Sequence, residues 1–325
     1  MTMNFENFVR QMNKMGENGI PFLFVIDYEM NSPIICPLED AAKSGLYYAV
    51  KGLRNYVPAN STDETLKFAK FPIAYKDYQI AFHHVAQQIG LGNTFLLNLT
   101  FPTKIETNWN LKTIFENSDA PYRLLCQEHF VVFSPECFVQ ISNGIISSYP
   151  MKGTIDADIP GAEKVILSDE KEKAEHATIV DLIRNDLSMV ASRVHVKRYR
   201  YIDKIVTNDK SLLQVSSEIV GQLPPGYRKN LGTIIGKLLP AGSISGAPKE
   251  STLKIIKESE GYPRGYYTGI FGIFDGSNLD SAVMIRYIEQ QEDQLYYKSG
   301  GGITMHSDPA REYQELIDKV YVAAH

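Results

Sequence analysis

Strand-like runs in this 325-residue chain come in adjacent groups, with helices inserted between the groups. That order limits the fold more than any other feature. Strand patterns cover 21–28, 45–53 and 94–101. Others cover 122–134 and 137–149, which read as a strand pair, and 211–223, and a meander runs over 267–275, 279–290 and 294–299. Helical patterns cover 5–15, 75–90, 169–190, 231–239, 248–260 and 308–324. Residues 55–64 read as a polar turn region, and Asn143-Gly144 and Asp275-Gly276 mark tight turns. Asp308 is placed as an N-cap, with Pro309 at the first helical position. Strict alternation would predict a doubly wound parallel sheet. Grouped strands predict an α+β fold with mainly antiparallel sheets.

Composition narrows the class. Hydrophobic residues make up 44% of the chain, which is ordinary globular usage. A net charge of −5 gives no sign of a nucleic-acid partner. Cys36, Cys126 and Cys137 are widely spaced, odd in number and lack metal-site spacing, as expected of thiols in a reducing compartment. The first 19 residues are polar and mixed in charge, unlike a signal peptide. The densest apolar run, 21–26, is too short to span a bilayer. A cytoplasmic protein with no membrane partner is expected. No repeat or linker divides the chain, so one domain is expected over 1–325.

Several stretches offer chemistry. In Pro150-Met151-Lys152-Gly153-Thr154 a lysine stands between Pro and Gly, in what reads as a turn after the strand-like run 144–149. It is either a solvated loop lysine or a nucleophile whose amine is partly neutral. On the helix 169–190, Glu175 shares a face with Thr178, Ile179, Leu182 and Asp186, and Glu172 lies one turn earlier. The last helix offers Glu312 and Glu315 at the same spacing. These are either two solvated acidic faces or an all-oxygen ligand set, which suits Mg²⁺ rather than zinc. Gly300-Gly301-Gly302 follow a strand and read as a flexible turn or a backbone cradle for an anion. Arg286 falls inside an apolar strand pattern, on the face of Ala282 and Met284, where it needs a partner such as a carboxylate. The small-residue loop 240–249 precedes a helix. It is similar to a phosphate-binding loop but lacks Gly-Lys-[Ser/Thr], and Pro248 removes a donor.

Together these stretches resemble the chorismate-utilising enzymes. The matching blocks are Ser134-Pro135-Glu136-Cys137-Phe138, Pro150-Met151-Lys152-Gly153-Thr154, residues 174–187, residues 240–249, and residues 300–308 followed by Glu312-Tyr313-Gln314-Glu315. The resemblance covers nearly everything from about residue 75 onward. The front segment, about 1–71, is shorter than in many relatives, which implies a reduced or absent tryptophan-sensing region. The resemblance implies two stacked, mainly antiparallel β-sheets with helices outside. It also implies Mg²⁺ held by Glu175 and Glu315, with Glu172 and Glu312 supporting through water. Arg286, Tyr267 and Gly300, Gly301 and Gly302 would hold the enolpyruvyl carboxylate. Thr154, Gln214, Ser245, Gly246 and Lys249 would complete the substrate-binding set. Gln214 stands where many relatives carry His, and Gln cannot donate a proton as an acid.

Within the family, Pro-x-Ala-Gly-Thr resembles anthranilate synthases and Pro-x-Lys-Gly-Thr resembles aminodeoxychorismate synthases. Lys152 therefore implies amination of chorismate to 4-amino-4-deoxychorismate, a folate precursor, with Lys152 as nucleophile and Glu136 as general acid. The cysteines do not sit in the Gly-flanked turn that glutamine hydrolysis needs. A separate glutamine amidotransferase subunit is thus the implied ammonia donor. Anthranilate or isochorismate synthase, and a non-catalytic chorismate-binding regulator, are the alternatives.

Overall fold

The computed structural model describes residues 3–58, 64–206 and 211–322. Part of the expected turn region 55–64 and the end of the expected helix 308–324 lie outside those residues.

Two antiparallel sheets are stacked, each of nine strands among the described residues. In the first, the strands run in the order Met151–Asp156, Ser211–Gln222, Ile145–Ser148, Cys137–Ser142, Leu279–Val283, Ile270–Phe274, Phe22–Ile26 and Ile34–Pro37. The long strand Ser192–Val206 also pairs with Ser211–Gln222. The second is built around Leu96–Thr107, Gln294–Ile303, Tyr287–Gln291, Phe130–Ser134, Tyr122–Cys126 and Leu46–Val50.

Alternation assigns the faces. In Phe22–Ile26, Phe22, Phe24 and Ile26 pack outward with the helices Phe5–Glu17 and Leu231–Leu238. Leu23 and Val25 pack inward with Phe271, Leu124, Phe130 and Tyr287 of both sheets. Every residue of this strand is buried, so it reads as an unbroken apolar run. The helices Tyr75–Gly90, Lys249–Glu260 and Pro309–Asp318 cover the outer face of the second sheet through Tyr78, Val85, Ile255 and Leu316, packed on Leu97, Leu99 and Phe101. The expected α+β class, with helices outside, is what the chain adopts.

Two sequence expectations change. Residues 122–134 and 137–149 are not partners of one another. Each is its own hairpin, and they belong to different sheets. The run 279–290 is two strands, with residues 284–286 carrying the chain from the first sheet to the second. Pro135 and Glu136 make the reverse crossing, between Phe130–Ser134 and Cys137–Ser142. The two crossings lie side by side: the Val283 N–H donates to the Glu136 carbonyl at 3.1 Å, and the Phe133 N–H to the Arg286 carbonyl at 3.0 Å. Two candidate site residues are thereby fixed at one place in the fold.

Candidate active site

Lys152 is aimed by a bulge rather than by a turn. The strand Met151–Asp156 pairs with Ser211–Gln222, Met151 opposite Ser216 and Thr154 opposite Gln214, and the register shifts between them. Lys152 and Gly153 therefore face the single residue Val215, and the extra residue redirects a side chain. Gly153 has φ +85°, and a Cβ there would lie 3.2 Å from Glu172 Oε2. Glycine meets both demands at this point.

The helix Glu170–Ser188 starts at Asp169, whose carboxylate accepts from the Glu172 N–H at 3.0 Å. It presents Glu175 to the bulge, and Lys152 Nζ lies 2.8 Å from Glu175 Oε2. Burial is the largest single influence on Lys152 and lowers its pKa. Glu175, Glu172 and Glu315 together outweigh it, and the pKa is raised. In this arrangement Lys152 is an ammonium, not a partly neutral amine.

The last helix, Pro309–Asp318, brings the other two carboxylates. A Cβ on Gly301 would lie 3.3 Å from Glu312 Oε2 and 3.6 Å from Glu315 Oε1. Lys319, at the helix C-cap, sits 2.6 Å from Glu315 Oε1 and donates to the Gly300 carbonyl at 2.8 Å. Gly300, Gly301 and Gly302 are strand residues, not a loop, paired with Thr100, Leu99 and Asn98. The neighbouring strand Tyr287–Gln291 stops opposite Lys298, so sheet pairing covers one flank of the glycines.

Two helices thus bring four carboxylates to the neighbourhood of Lys152. Among the described residues, no three His, Cys, Asp or Glu side chains close on a common point at ligand distance. The donor chemistry fits a hard divalent cation. The glycines at 153 and 301 leave open the space in front of Glu172, Glu312 and Glu315 that a Cβ would fill.

Glu136 accepts a 2.9 Å hydrogen bond from Ser243 Oγ. Its packing is deep enough that desolvation pushes its carboxyl up, against the opposing pull of Ser243 and of the Lys319 charge. A cavity beside it is lined by Ser148, Pro150, Ile183, Asp186 and Ser243. Arg286 has φ +52° in the crossing rather than a strand conformation, so it does not share a face with Ala282 and Met284 as the alternation predicted. Its Nη1 donates to the Lys319 carbonyl at 3.1 Å, and its guanidinium lies 4.8 Å from the centre of the Tyr321 ring. Tyr267 is buried nearby, its hydroxyl pushed far up by burial.

Lys152, Glu172, Glu175, Glu312, Glu315, Glu136, Arg286 and the glycines therefore form one neighbourhood. Other expected positions are bonded elsewhere. Ser245 Oγ donates to the Ala241 carbonyl at 2.8 Å, and Gly246, at φ +129°, meets the Leu96 carbonyl. Lys249 Nζ lies 3.3 Å from Asp186 Oδ1 and 3.3 Å from the Leu238 carbonyl oxygen. These three residues build the loop that delivers Ser243. Lys319 and Ser243 escaped sequence reasoning. The signal for Lys319 was its i+4 spacing from Glu315; Ser243 carried none beyond lying in a small-residue loop.

A family model described as chorismate binding enzyme matches residues 27–325. The chain belongs to that family, and it is a chorismate-utilising enzyme. An uncharacterized PabA-like protein of Pasteurella multocida is 52% identical over 98% of this chain and 99% of its own length. Anthranilate synthase component 1 of Acetivibrio thermocellus is 34% identical over 72% of this chain and 49% of its own. Aminodeoxychorismate synthase component 1 of Bacillus subtilis is 30% identical over 77% of this chain and 55% of its own. Among solved structures, a putative 2,3-dihydroxybenzoate-specific isochorismate synthase from Bacillus anthracis superposes with a TM-score of 0.73 at 20% identity, covering 98% of this chain and 89% of that one. It shares the two-sheet fold. Among the described residues no helix is long and apolar enough to cross a membrane.

Proposed function

We propose that the chain is an aminodeoxychorismate synthase component I, converting chorismate and ammonia to 4-amino-4-deoxychorismate and water. The observation that carries this reading is Lys152 on a bulge, paired with Glu175 and within the charge field of Glu172 and Glu315. Lys152 attacks C2 of the ring, and the C4 hydroxyl leaves as water with a proton from Glu136. Ammonia then adds at C4, the C2–N bond to Lys152 breaks, the lysine amine is restored, and the new C4 ammonium gives its extra proton back to the Glu136 carboxylate. Hydroxide is a poor leaving group, so an acid and a covalent intermediate each lower the barrier.

Glu175, Glu315, Glu172 and Glu312 are the residues that would hold Mg²⁺, which supplies positive charge for the ring carboxylate. Turning Glu175 away from Lys152 removes two of the influences that raise the lysine's pKa and leaves the opposing effect of burial less compensated. Arg286 and the open flank of the glycine strand bind the enolpyruvyl carboxylate. Ammonia comes from a glutamine amidotransferase partner, and the enzyme works in the cytoplasm on the route to folate.

The test is purified protein with chorismate, Mg²⁺ and ammonium, with products separated and identified by mass and absorbance. Aminodeoxychorismate supports the reading. Anthranilate or isochorismate as the sole product overturns it, and full activity in excess EDTA removes the metal assignment.

A further inference from the structure

We propose that His176 is a positioning residue that sets the helix carrying Glu172 and Glu175 in register with the strand carrying Lys152. This inference rests on the proposed roles of Lys152, Glu172 and Glu175 for its kinetic and Mg²⁺ readouts, while hydrogen exchange tests it independently of them.

His176 follows Glu175 directly on the helix Glu170–Ser188 and points about 100° away around the axis. Glu175 faces Lys152 while His176 turns into the sheet, where it is 1% exposed. Its Nε2 lies 2.6 Å from Ser217 Oγ, and Ser217 is fully buried on the strand Ser211–Gln222. Ser217 is a junction. Its hydroxyl accepts from the Arg200 N–H at 2.9 Å, and its own N–H donates to the Pro150 carbonyl at 3.0 Å. Pro150 immediately precedes Met151–Asp156, in which the ladder is interrupted at Lys152 and Gly153.

The sheet ladder therefore does not fix the bulge against the helix, whereas the path Pro150–Ser217–His176 does. It ends one residue from Glu175, and the bulge begins two residues after Pro150. The Tyr199 ring packs edge-on against the imidazole at 5.9 Å and limits its rotation. A buried His–Ser contact is a narrow geometric constraint, because losing one partner leaves the other polar atom unsatisfied.

The test compares His176→Ala, His176→Gln and Ser217→Ala with the parent. Three readouts are used: amide hydrogen exchange, Mg²⁺ binding by calorimetry without chorismate, and steady-state kinetics with chorismate and ammonium. The expected result for His176→Ala is faster exchange in peptides covering 150–156 and 170–188, weaker Mg²⁺ binding, and a kcat lowered by about 100-fold with little change in chorismate KM. His176→Gln, which returns a hydrogen-bonding atom near the Nε2 position, recovers part of each. Ser217→Ala moves each the same way, and the double variant is no worse than the worse single one. If His176→Ala does not fold, Ser217→Ala decides, since it removes one hydroxyl only. Parent-like exchange and Mg²⁺ affinity in Ser217→Ala, or in a folded His176→Ala, overturn the proposal. Should the parent yield no aminated product, the catalytic reading falls, while hydrogen exchange still decides the role of His176.

Discussion

Ser243 donates to Glu136 Oε1 at 2.9 Å, joining the small-residue loop to the crossing between the two sheets. Burial raises the Glu136 carboxyl above its ordinary value despite this bond and the Lys319 charge. A general acid works while protonated, so kcat at saturating chorismate should fall as pH rises through that raised value. Ser243→Ala removes a bond that favours the carboxylate, and the falling limb should move to higher pH. Glu136→Gln should lower kcat by about 100-fold or more. A pH profile of kcat at constant free ammonia checks this. A limb that moves to lower pH in Ser243→Ala would contradict the assignment.

Arg286 sits at φ +52° and holds the Lys319 carbonyl while keeping its fork near Tyr267. Arg286→Lys keeps the charge but loses the bidentate geometry. Hydrogen bonds to charged groups contribute about 1.5–3 kcal/mol, so chorismate KM should rise by roughly 10- to 100-fold. An unchanged far-UV spectrum accompanies that rise. Saturation at the parent's concentration would make Arg286 a structural residue.

Local signals in the sequence located what local chemistry determines. The helix at 169–190 was legible from its period and is capped by Asp169, but its buried stripe is His176, Val180, Ile183 and Leu187 rather than the face of Thr178 and Leu182 that the period picked out. Asp308 and Pro309 marked the start of the last helix. The strand Ser192–Val206 was missed because Arg193 and Arg200 take positive φ and the register shifts three times, which breaks the period of two. Pro150 and Gly153 looked like turn punctuation. Pairing with the distant strand Ser211–Gln222 made the segment a bulged strand instead. The Glu-x-x-Glu spacing named the four carboxylates. The pairing of Glu315 with Lys319 follows from their i,i+4 spacing, whereas that of Glu175 with Lys152 depends on which elements approach in space, and no local pattern encodes it.

Glu260 and Arg264 form a pair 2.6 Å apart, each side chain 1% exposed. Arg264 also donates to the Ile244 and Asn98 carbonyls, and Glu260 accepts from Thr100. Glu260→Gln preserves shape but leaves a buried guanidinium without its counter-charge. The expected loss is about 3–5 kcal/mol of unfolding free energy, read from the urea midpoint at unchanged slope. A loss below about 1 kcal/mol, the range of exposed pairs, would show that the carbonyl oxygens alone sustain Arg264.

On the proposed reading, Lys152 directs amination to C4 rather than C2. Its ammonium is held by Glu175 at 2.8 Å, and the bulge at Gly153 leaves it outside the regular ladder, so its removal should disturb little of the sheet. Lys152→Ala should retain the parent's melting temperature within about 2 °C, as expected of a partly exposed side chain whose ion pair contributes little. It should make no aminodeoxychorismate. With ammonium it should leave only slow direct amination at C2, shifting product toward anthranilate. In the parent, trapping with a chorismate analogue followed by digestion should place the adduct on the peptide containing Lys152. An adduct on Lys249 instead, or aminodeoxychorismate formed by Lys152→Ala at the parent rate, would remove Lys152 as nucleophile. The choice of C4 amination over the chemistry of the anthranilate synthases would then lose its main support.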